Sequence, residues 1–339
     1  MRIRTAAVIA VALIAAAGCD SSGNKTTQAN TANKPADKVA YLTGFGSFGR
    51  EAEVWVADKK GYFKDQNIEV TISAGAAGDS NTKLLEADKA QFAIVDFGTL
   101  LQQVGTGAHT DIRAIAAVQQ RTVSSVIALQ GKGITSPKDL AGKKIGAAPG
   151  SVLQAMFPGY AQLAGFDPKS VKFVPGAPAD LPGMLARGDV DALLQYLVGA
   201  PAISAAAKNA KTVTLPYSDY LADPYGSVLI TTTKMINDNP DLVKRFTTAL
   251  VKGLTYAVNN PTEAGDILHA AVPATLAAPA GQELTLMKQY VLGTENGLPV
   301  GSFDQARVAR AIASLQSLNL FPAGLTPDKV IAFNLTPKA

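Results

Sequence analysis

Eight side chains that could contact a small molecule fall at predicted strand ends and helix starts. Serines at helix starts would present hydroxyl and backbone N–H donors to an anionic or acceptor-rich group. Polar residues at strand tips could hydrogen-bond the same guest, although each polar candidate could equally cap the next helix. The candidate ligand contacts are Phe45, Phe48, Arg50, Ser80, Asp96, Ser151, Gln195 and Tyr225.

The sequence carries no pattern typical of catalysis or of metal binding. His109 and His269 are its two histidines and Cys19 is its single cysteine, whereas transition-metal sites need clustered nitrogen and sulfur ligands. The order Gly-x-Gly-x-x-Gly occurs within residues 44–49, but no acidic residue ends the next strand as a dinucleotide loop requires. We therefore expect a protein that is not an enzyme, with no catalytic residue, no metal and no cofactor.

The candidates at the start of the chain depend on one strand, loop and helix. Residues 39–43 form an apolar run, residues 44–49 a glycine-rich loop, and a helical period begins at residue 52. Such a loop leaves backbone N–H groups without internal partners, so we expect them to point towards a ligand above the strand end. Phe45 and Phe48 would either cover that ligand or fold down onto the sheet.

Strand, loop and helix alternate through most of the chain, which predicts α/β lobes with mostly parallel sheets, flanking helices and a crevice at the carboxyl ends of the strands. Residues 112–118 and 123–129 are β-rich runs with no room between them for a crossover helix, so the chain passes to a second lobe there. We predict a first lobe from residues 38–120 and 223–339, including C-terminal helices, and a second lobe from residues 121–222.

The N-terminus predicts export. Residues 1–18 combine a basic start with an apolar run and small residues, which is typical of a signal peptide. Cys19 then resembles a bacterial lipoprotein processing site, and residues 19–37 have the composition of a flexible tether; an ordinary signal peptide is the alternative. Without Arg2 and Arg4 the chain has 29 basic residues against 27 acidic ones, and this mild charge argues against a nucleic-acid partner.

Several segments together resemble the substrate-binding proteins of ABC importers, in the SsuA/THI5-like (NMT1-like) group. They are residues 55–63, 78–85, 91–96, 136–146 and 188–192. The resemblance implies a type II periplasmic-binding-protein fold, in which a hinge closes two lobes on a small solute. It also implies a monomer on the extracytoplasmic face of the membrane, anchored through Cys19, that delivers its solute to an ABC permease and carries no catalysis of its own.

The class of solute remains open at this point. Aromatic residues in the first loop favour a planar heteroaromatic solute such as the thiamine pyrimidine, while Arg50 and the two helix-start serines favour a sulfonate or carboxylate. The same superfamily contains a fungal enzyme that makes the thiamine pyrimidine with a cysteine-rich iron-binding segment, which this chain lacks. A secreted THI5-like enzyme and a solute-sensing lipoprotein are the alternative functions.

Overall fold

The computed structural model describes residues 35–76, 78–294 and 297–338. The predicted signal peptide, Cys19 and the tether up to residue 34 lie outside the described residues. Ala36–Ala339 form one compact unit, and its first strand begins at Asp37, within the segment that we assigned to the tether. Among the described residues, no helix combines the length and the apolar character needed to cross a bilayer.

Two five-stranded sheets form the centre of this unit. In chain order, the strands are Asp37–Leu42 (β1), Ile68–Ser73 (β2), Phe92–Asp96 (β3), Ile112–Ala117 (β4), Ser124–Leu129 (β5), Lys144–Ala147 (β6), Lys172–Pro175 (β7), Ala192–Tyr196 (β8), Thr212–Pro216 (β9) and Ser227–Thr232 (β10). The first sheet has the order β2-β1-β3-β10-β4 and the second has the order β7-β6-β8-β5-β9.

Each sheet is mostly parallel, with one strand reversed. β10 runs antiparallel to both β3 and β4, and β5 runs antiparallel to both β8 and β9. Because the second sheet lies between β4 and β10 in the sequence, the chain crosses between the sheets twice. The bounds of the two lobes given above remain a prediction.

Helices flank both sheets, as the alternating pattern predicts. They are Glu53–Lys59 (α1), Tyr62–Asp65 (α2), Gly78–Glu86 (α3), Phe97–Gly105 (α4), Val152–Leu163 (α5), Leu181–Arg187 (α6), Ala200–Ala206 (α7), Thr233–Asp238 (α8), Pro240–Asn259 (α9), Pro261–Ala271 (α10), Ala277–Leu292 (α11) and Gln305–Ser317 (α12). The apolar stripe of α9 packs on the first sheet, where the Phe246 ring stacks on Phe92 with centroids 4.1 Å apart. The C-terminal helices therefore complete the core of the first lobe.

The lobes touch where α4 meets α5. A Cβ atom added to Gly98, near the start of α4, would lie 2.9 Å from Cγ2 of Val152 and 3.4 Å from Sδ of Met156. Real Cβ atoms do not approach other atoms this closely without displacement. A glycine at this position therefore permits the close contact between the lobes.

Arg307 of α12 ties together the two segments that cross between the sheets. Its side chain is almost fully buried, and Nε donates to the carbonyl of Asp223 at 2.9 Å. Nη2 donates to the carbonyl of Gln120 on the first crossing and to that of Ala222 on the second. The guanidinium also lies 4.2 Å from the centroid of the Tyr225 ring. One side chain thus holds both connections.

Replacing Arg307 should destabilise the whole fold. We expect Arg307→Lys to lower the free energy of unfolding by about 3 kcal/mol, because an ammonium cannot reach all three carbonyls and the charge stays buried. Urea denaturation followed by circular dichroism measures this change.

Arg310→Lys provides the matched control on the same helix. Arg310 is 55% exposed and pairs with Asp223 at 2.9 Å, and exposed pairs contribute up to about 1 kcal/mol. Equal losses of stability in the two variants would contradict the role of Arg307 as a clamp.

Candidate functional site

The predicted aromatic residues lie on the loop that follows β1. The isolated bridge between Phe45 and Ala76 joins this loop to the loop after β2, and Gly46 has a φ of 70°, a conformation that glycine adopts without strain. Phe45 and Phe48 are 36% and 39% exposed, and their rings stack with centroids 6.3 Å apart. They therefore form a partly exposed aromatic pair at the carboxyl end of the sheet.

Two backbone N–H groups that flank this loop are not open to a ligand, which corrects the expectation from the sequence. Gly44 N donates to Oε2 of Glu51 at 2.8 Å, and Arg50 N donates to Oε2 of Glu283 at 3.1 Å. Because two carboxylates of the protein already accept these hydrogen bonds, the loop does not form the anion-binding shelf that a glycine-rich strand-to-helix turn predicts.

Arg50 lies between the aromatic pair and the second lobe. Its Cζ atom lies 4.3 Å from the centroid of Phe48 and 5.8 Å from that of Tyr196. The guanidinium also comes within 3.8 Å of Glu51 and 3.7 Å of Glu283, and its side chain is only 12% exposed. The positive charge of Arg50 is therefore balanced by carboxylates of the protein.

Two buried carboxyl groups, of Glu51 and Glu283, lie beside Arg50, and a third, of Glu53, lies next to Glu51. Burial raises the pKa of Glu51 and of Glu283, although Arg50 opposes both shifts. Burial, together with the nearby charge of Glu51, raises the pKa of Glu53 to about 8, and the hydroxyl of Tyr41 donates to Oε1 of Glu53 at 3.1 Å. Glu53 consequently holds its proton at neutral pH.

Strand ends of the two sheets meet beside Arg50. Asp96 ends β3 and accepts a hydrogen bond from Gly98 N at 2.8 Å, which caps α4. Burial raises the pKa of Asp96 to about 7. Tyr196 ends β8 in the second sheet, and burial, followed by the charge of Asp96, raises the pKa of its hydroxyl. Asp96 and Arg50 from one lobe thus lie close to Tyr196 from the other.

Sequence reasoning missed Tyr196, whose ring lies beside Arg50. We chose its neighbour Gln195 because it is polar, but Oε1 of Gln195 accepts a hydrogen bond from Tyr196 N at 2.9 Å and so folds back on its own strand. Successive side chains of a strand point to opposite faces. The sequence signal for Tyr196 is its position as an aromatic residue at the end of β8, next to Gln195.

The three remaining candidates are an exposed serine and two residues with structural partners. Ser80 is exposed within α3, and Ser151 caps α5 by accepting from Gln154 N at 3.4 Å. Tyr225 is 2% exposed, and its hydroxyl accepts a hydrogen bond from Asp304 N at 2.9 Å. Ligand contact by all eight candidates stays a prediction. The structure brings Phe45, Phe48 and Arg50 together, and both Asp96 and Arg50 lie near Tyr196.

Two cavities lie away from these candidates. One of about 390 Å³ lies beside Arg113 and Thr233 in the first lobe, and another of about 490 Å³ lies beside Lys211 and Leu286. None of the eight candidates lines either cavity. Within the described residues, no group of three or more histidine, cysteine, aspartate or glutamate side chains could hold a metal ion.

Known proteins similar to this chain fall into two functional classes. A Haemophilus influenzae protein named for thiamine biosynthesis is 25% identical over 247 residues, which cover 73% of this chain and 77% of the relative. A Legionella pneumophila 4-amino-5-hydroxymethyl-2-methylpyrimidine phosphate synthase is 25% identical over 243 residues, covering 70% and 74%. The crystal structure of the periplasmic aliphatic sulphonate-binding protein SsuA from Escherichia coli aligns with a TM-score of 0.67 at 13% identity, covering 88% and 92%.

These similarities confirm the predicted fold class and correct one expectation. The structural neighbour has the periplasmic-binding-protein fold that we predicted. The expectation that the chain is not an enzyme is contradicted, because four curated relatives, including the Legionella protein, are named as the pyrimidine phosphate synthase. The inference failed because members of one fold family can carry either binding or catalytic sites.

The resemblance inferred from the sequence segments is confirmed. The family model described as NMT1/THI5 like matches residues 50–264, more than half of the 339 residues, and the chain therefore belongs to the NMT1/THI5-like family.

Proposed function

We propose that this protein captures a small planar heterocycle, of the aminopyrimidine kind, between its two lobes and delivers it to an ABC permease. The observation that carries the proposal is the stacked, partly exposed pair Phe45 and Phe48, which lies beside groups from both lobes. In this proposal the protein works outside the cytoplasm, exported by residues 1–18 and anchored through Cys19.

The aromatic pair favours a flat guest. Large apolar rings are rarely left exposed in the absence of a partner, and a heteroaromatic ring that stacks on Phe48 would cover one of them. Arg50 now lies over Phe48 at 4.3 Å, so a planar group already contacts this ring. A planar ligand would make the same kind of contact from the open side of the pair.

The charges favour a neutral or cationic guest over an anion. Glu51, Glu283 and Asp96 lie around the single guanidinium of Arg50, and the loop N–H groups that could bind a sulfonate already donate to carboxylates. The half-buried Asp96 has a pKa of about 7, so it can donate or accept a hydrogen bond near neutral pH. An aminopyrimidine offers both kinds of partner along one edge.

Entry of the guest requires the lobes to separate, because α4 and α5 are in contact at Gly98 and Val152. Hinge opening about the two crossing segments would expose Phe48, Asp96 and Tyr196 together, and closure would bury the guest among them. The SsuA structure of similar fold belongs to a protein named as periplasmic and sulphonate-binding, which supports a binding role but a different ligand.

A pyrimidine-forming enzyme is the second candidate function, because four curated relatives carry the name of such a synthase. Mass spectrometry that follows formation of new pyrimidine from added precursors separates the two functions. Formation of pyrimidine supports the enzyme, and tight binding of added pyrimidine without any formation supports capture.

Binding should stabilise the protein selectively. We expect 4-amino-5-hydroxymethyl-2-methylpyrimidine to raise the melting temperature and methanesulfonate to leave it unchanged, since a ligand that binds only the folded state stabilises it. Phe48→Ala should weaken binding about tenfold through loss of stacking. Thermal melts and isothermal titration calorimetry measure both effects.

Leu163→Ala is the matched control, because Leu163 is an apolar residue that is 57% exposed at the end of α5. It should bind like the wild type. Stabilisation by methanesulfonate alone would refute the proposed heterocycle.

Closure depends on the absence of a side chain at residue 98. Gly98→Val should hold the lobes apart and lower the affinity for the same pyrimidine about tenfold, because the competent closed state becomes less populated. Small-angle X-ray scattering should show a larger radius of gyration. Gly199→Ala is the control, because its added Cβ would lie at an ordinary 3.5 Å from Gln195. It should leave the affinity and the radius of gyration unchanged. An unchanged radius of gyration in Gly98→Val would contradict the closure mechanism.

A further inference from the structure

A fully buried asparagine joins the carboxyl ends of three strands. Asn81 of α3 is 0% exposed, and its Nδ2 donates to the carbonyls of Thr43 at 2.8 Å and Ile94 at 3.0 Å. Its Oδ1 accepts from Ala76 N at 3.1 Å. These partners follow β1, belong to β3 and follow β2, so one amide group fixes the three segments relative to one another.

The segments that Asn81 holds include the aromatic loop. Gly46 N donates to the carbonyl of Gly75 at 2.9 Å, and Gly75 N donates to Oγ1 of Thr43 at 3.0 Å. A Cβ atom at residue 75 would lie 2.7 Å from both side-chain polar atoms of Asn81, so the loop lies directly against the asparagine. The position of Phe45 therefore depends on where Asn81 sits.

His109 holds the same helix from its outer side. Its Nε2 lies 2.7 Å from Oδ1 of Asp79 and its Nδ1 lies 2.8 Å from Oε2 of Glu86. Asp79 and Glu86 are seven residues apart, hence on one face of α3. A neutral imidazole has one N–H group, so contact with a carboxylate at both nitrogens requires the imidazolium.

The charged groups around this imidazole are few. Asp79 also pairs with Lys83 at 2.7 Å on the solvent side. From α4, the carbonyl of Gln103 accepts a hydrogen bond from His109 N at 3.1 Å, and its uncharged side chain accepts from the hydroxyl of Thr82 at 3.0 Å. Asp79, Glu86 and Lys83 are therefore the titratable neighbours that bear on the charge of His109.

We propose that Asn81 is the positioning residue of the aromatic loop and that His109, as an imidazolium bridging Asp79 and Glu86, holds α3 and Asn81 in place. The consequence for ligand binding rests on the function proposed above, whereas the coupling between His109 and the loop does not. The protonation state of His109 then affects the aromatic loop through α3 and Asn81.

The direction of the pH dependence follows from the contacts of His109. Burial alone would lower the pKa of His109, but the hydrogen bonds to Asp79 and Glu86 outweigh burial and raise the pKa above its usual value. The stabilisation is therefore complete below about pH 6.5 and is lost as the pH rises through the higher value in the folded protein. Alkaline conditions should loosen α3 and then the loop.

NMR of the protein without ligand tests the coupling. Between pH 6 and 9, we expect the amide signals of Gly46 and Gly75 to include a shift with the same midpoint as the His109 imidazole, in addition to any shift from Glu51, Glu53 and Asp96, whose pKa values burial raises. In His109→Gln the shift with the His109 midpoint should be absent. In Asn81→Ala the imidazole should still titrate while the loop amides no longer follow; if this variant fails to fold, His109→Gln alone decides.

His269→Gln is the matched control, since His269 is the other histidine of the chain and is exposed. It should leave the midpoint and the loop shifts unchanged. Loop amides that lack the His109 midpoint in the wild type, or that show the same transition in His109→Gln, would overturn the proposal.

Affinity for 4-amino-5-hydroxymethyl-2-methylpyrimidine provides the functional readout. Between pH 6 and pH 9, we expect the affinity to fall about fivefold more in the wild type than in His109→Gln. A change of this size is typical of residues that act on a site without contacting the ligand. Titration of Asp96 and of the pyrimidine contributes equally in both proteins, so the difference isolates His109. Absence of binding in the wild type would refute the proposed function, while the loop amides would still decide the coupling.

Discussion

The buried guanidinium of Arg307 is the constraint on which the two-lobed arrangement depends. It donates to backbone carbonyls on both segments that cross between the sheets. A charged group this deep is costly unless each donor finds an acceptor, and here the acceptors are the connections themselves. The proposed hinge motion would therefore turn about these two connections.

Charge balance governs the candidate site around Arg50. One cation, Arg50, is shared by the carboxyl groups of Glu51 and Glu283, whose pKa values burial raises and the charge of Arg50 lowers. Because Glu51 and Glu283 accept hydrogen bonds from N–H groups at this loop, the proposed function assigns recognition to the aromatic rings and to Asp96 and Tyr196. One fold can carry different sites on its loops.

Local patterns predicted the fold well, because strands, turns and helices are largely determined by residues that are close together in the sequence. They predicted mostly parallel sheets, a crossing near residue 120 and a helical C-terminal part. The site was harder to predict from the sequence. Glu283 contacts Arg50 although the two residues are 233 positions apart, and no local pattern reveals such a contact. No local pattern distinguishes Asn81, and only tertiary packing shows that its amide joins three strand ends. Polarity alone favoured Gln195, although the neighbouring Tyr196 lies beside the charged cluster.

The reversed strand β10 sets an order for folding during synthesis. It sits between β3 and β4 in the first sheet, yet it follows the entire second sheet in the chain. When the ribosome has made the first 117 residues, the facing edges of β3 and β4 have no strand between them, and unpaired edges of this kind favour aggregation. The second sheet is continuous in sequence and can form first. The first half of a nascent chain of this protein therefore keeps two unpaired strand edges until the last strand arrives.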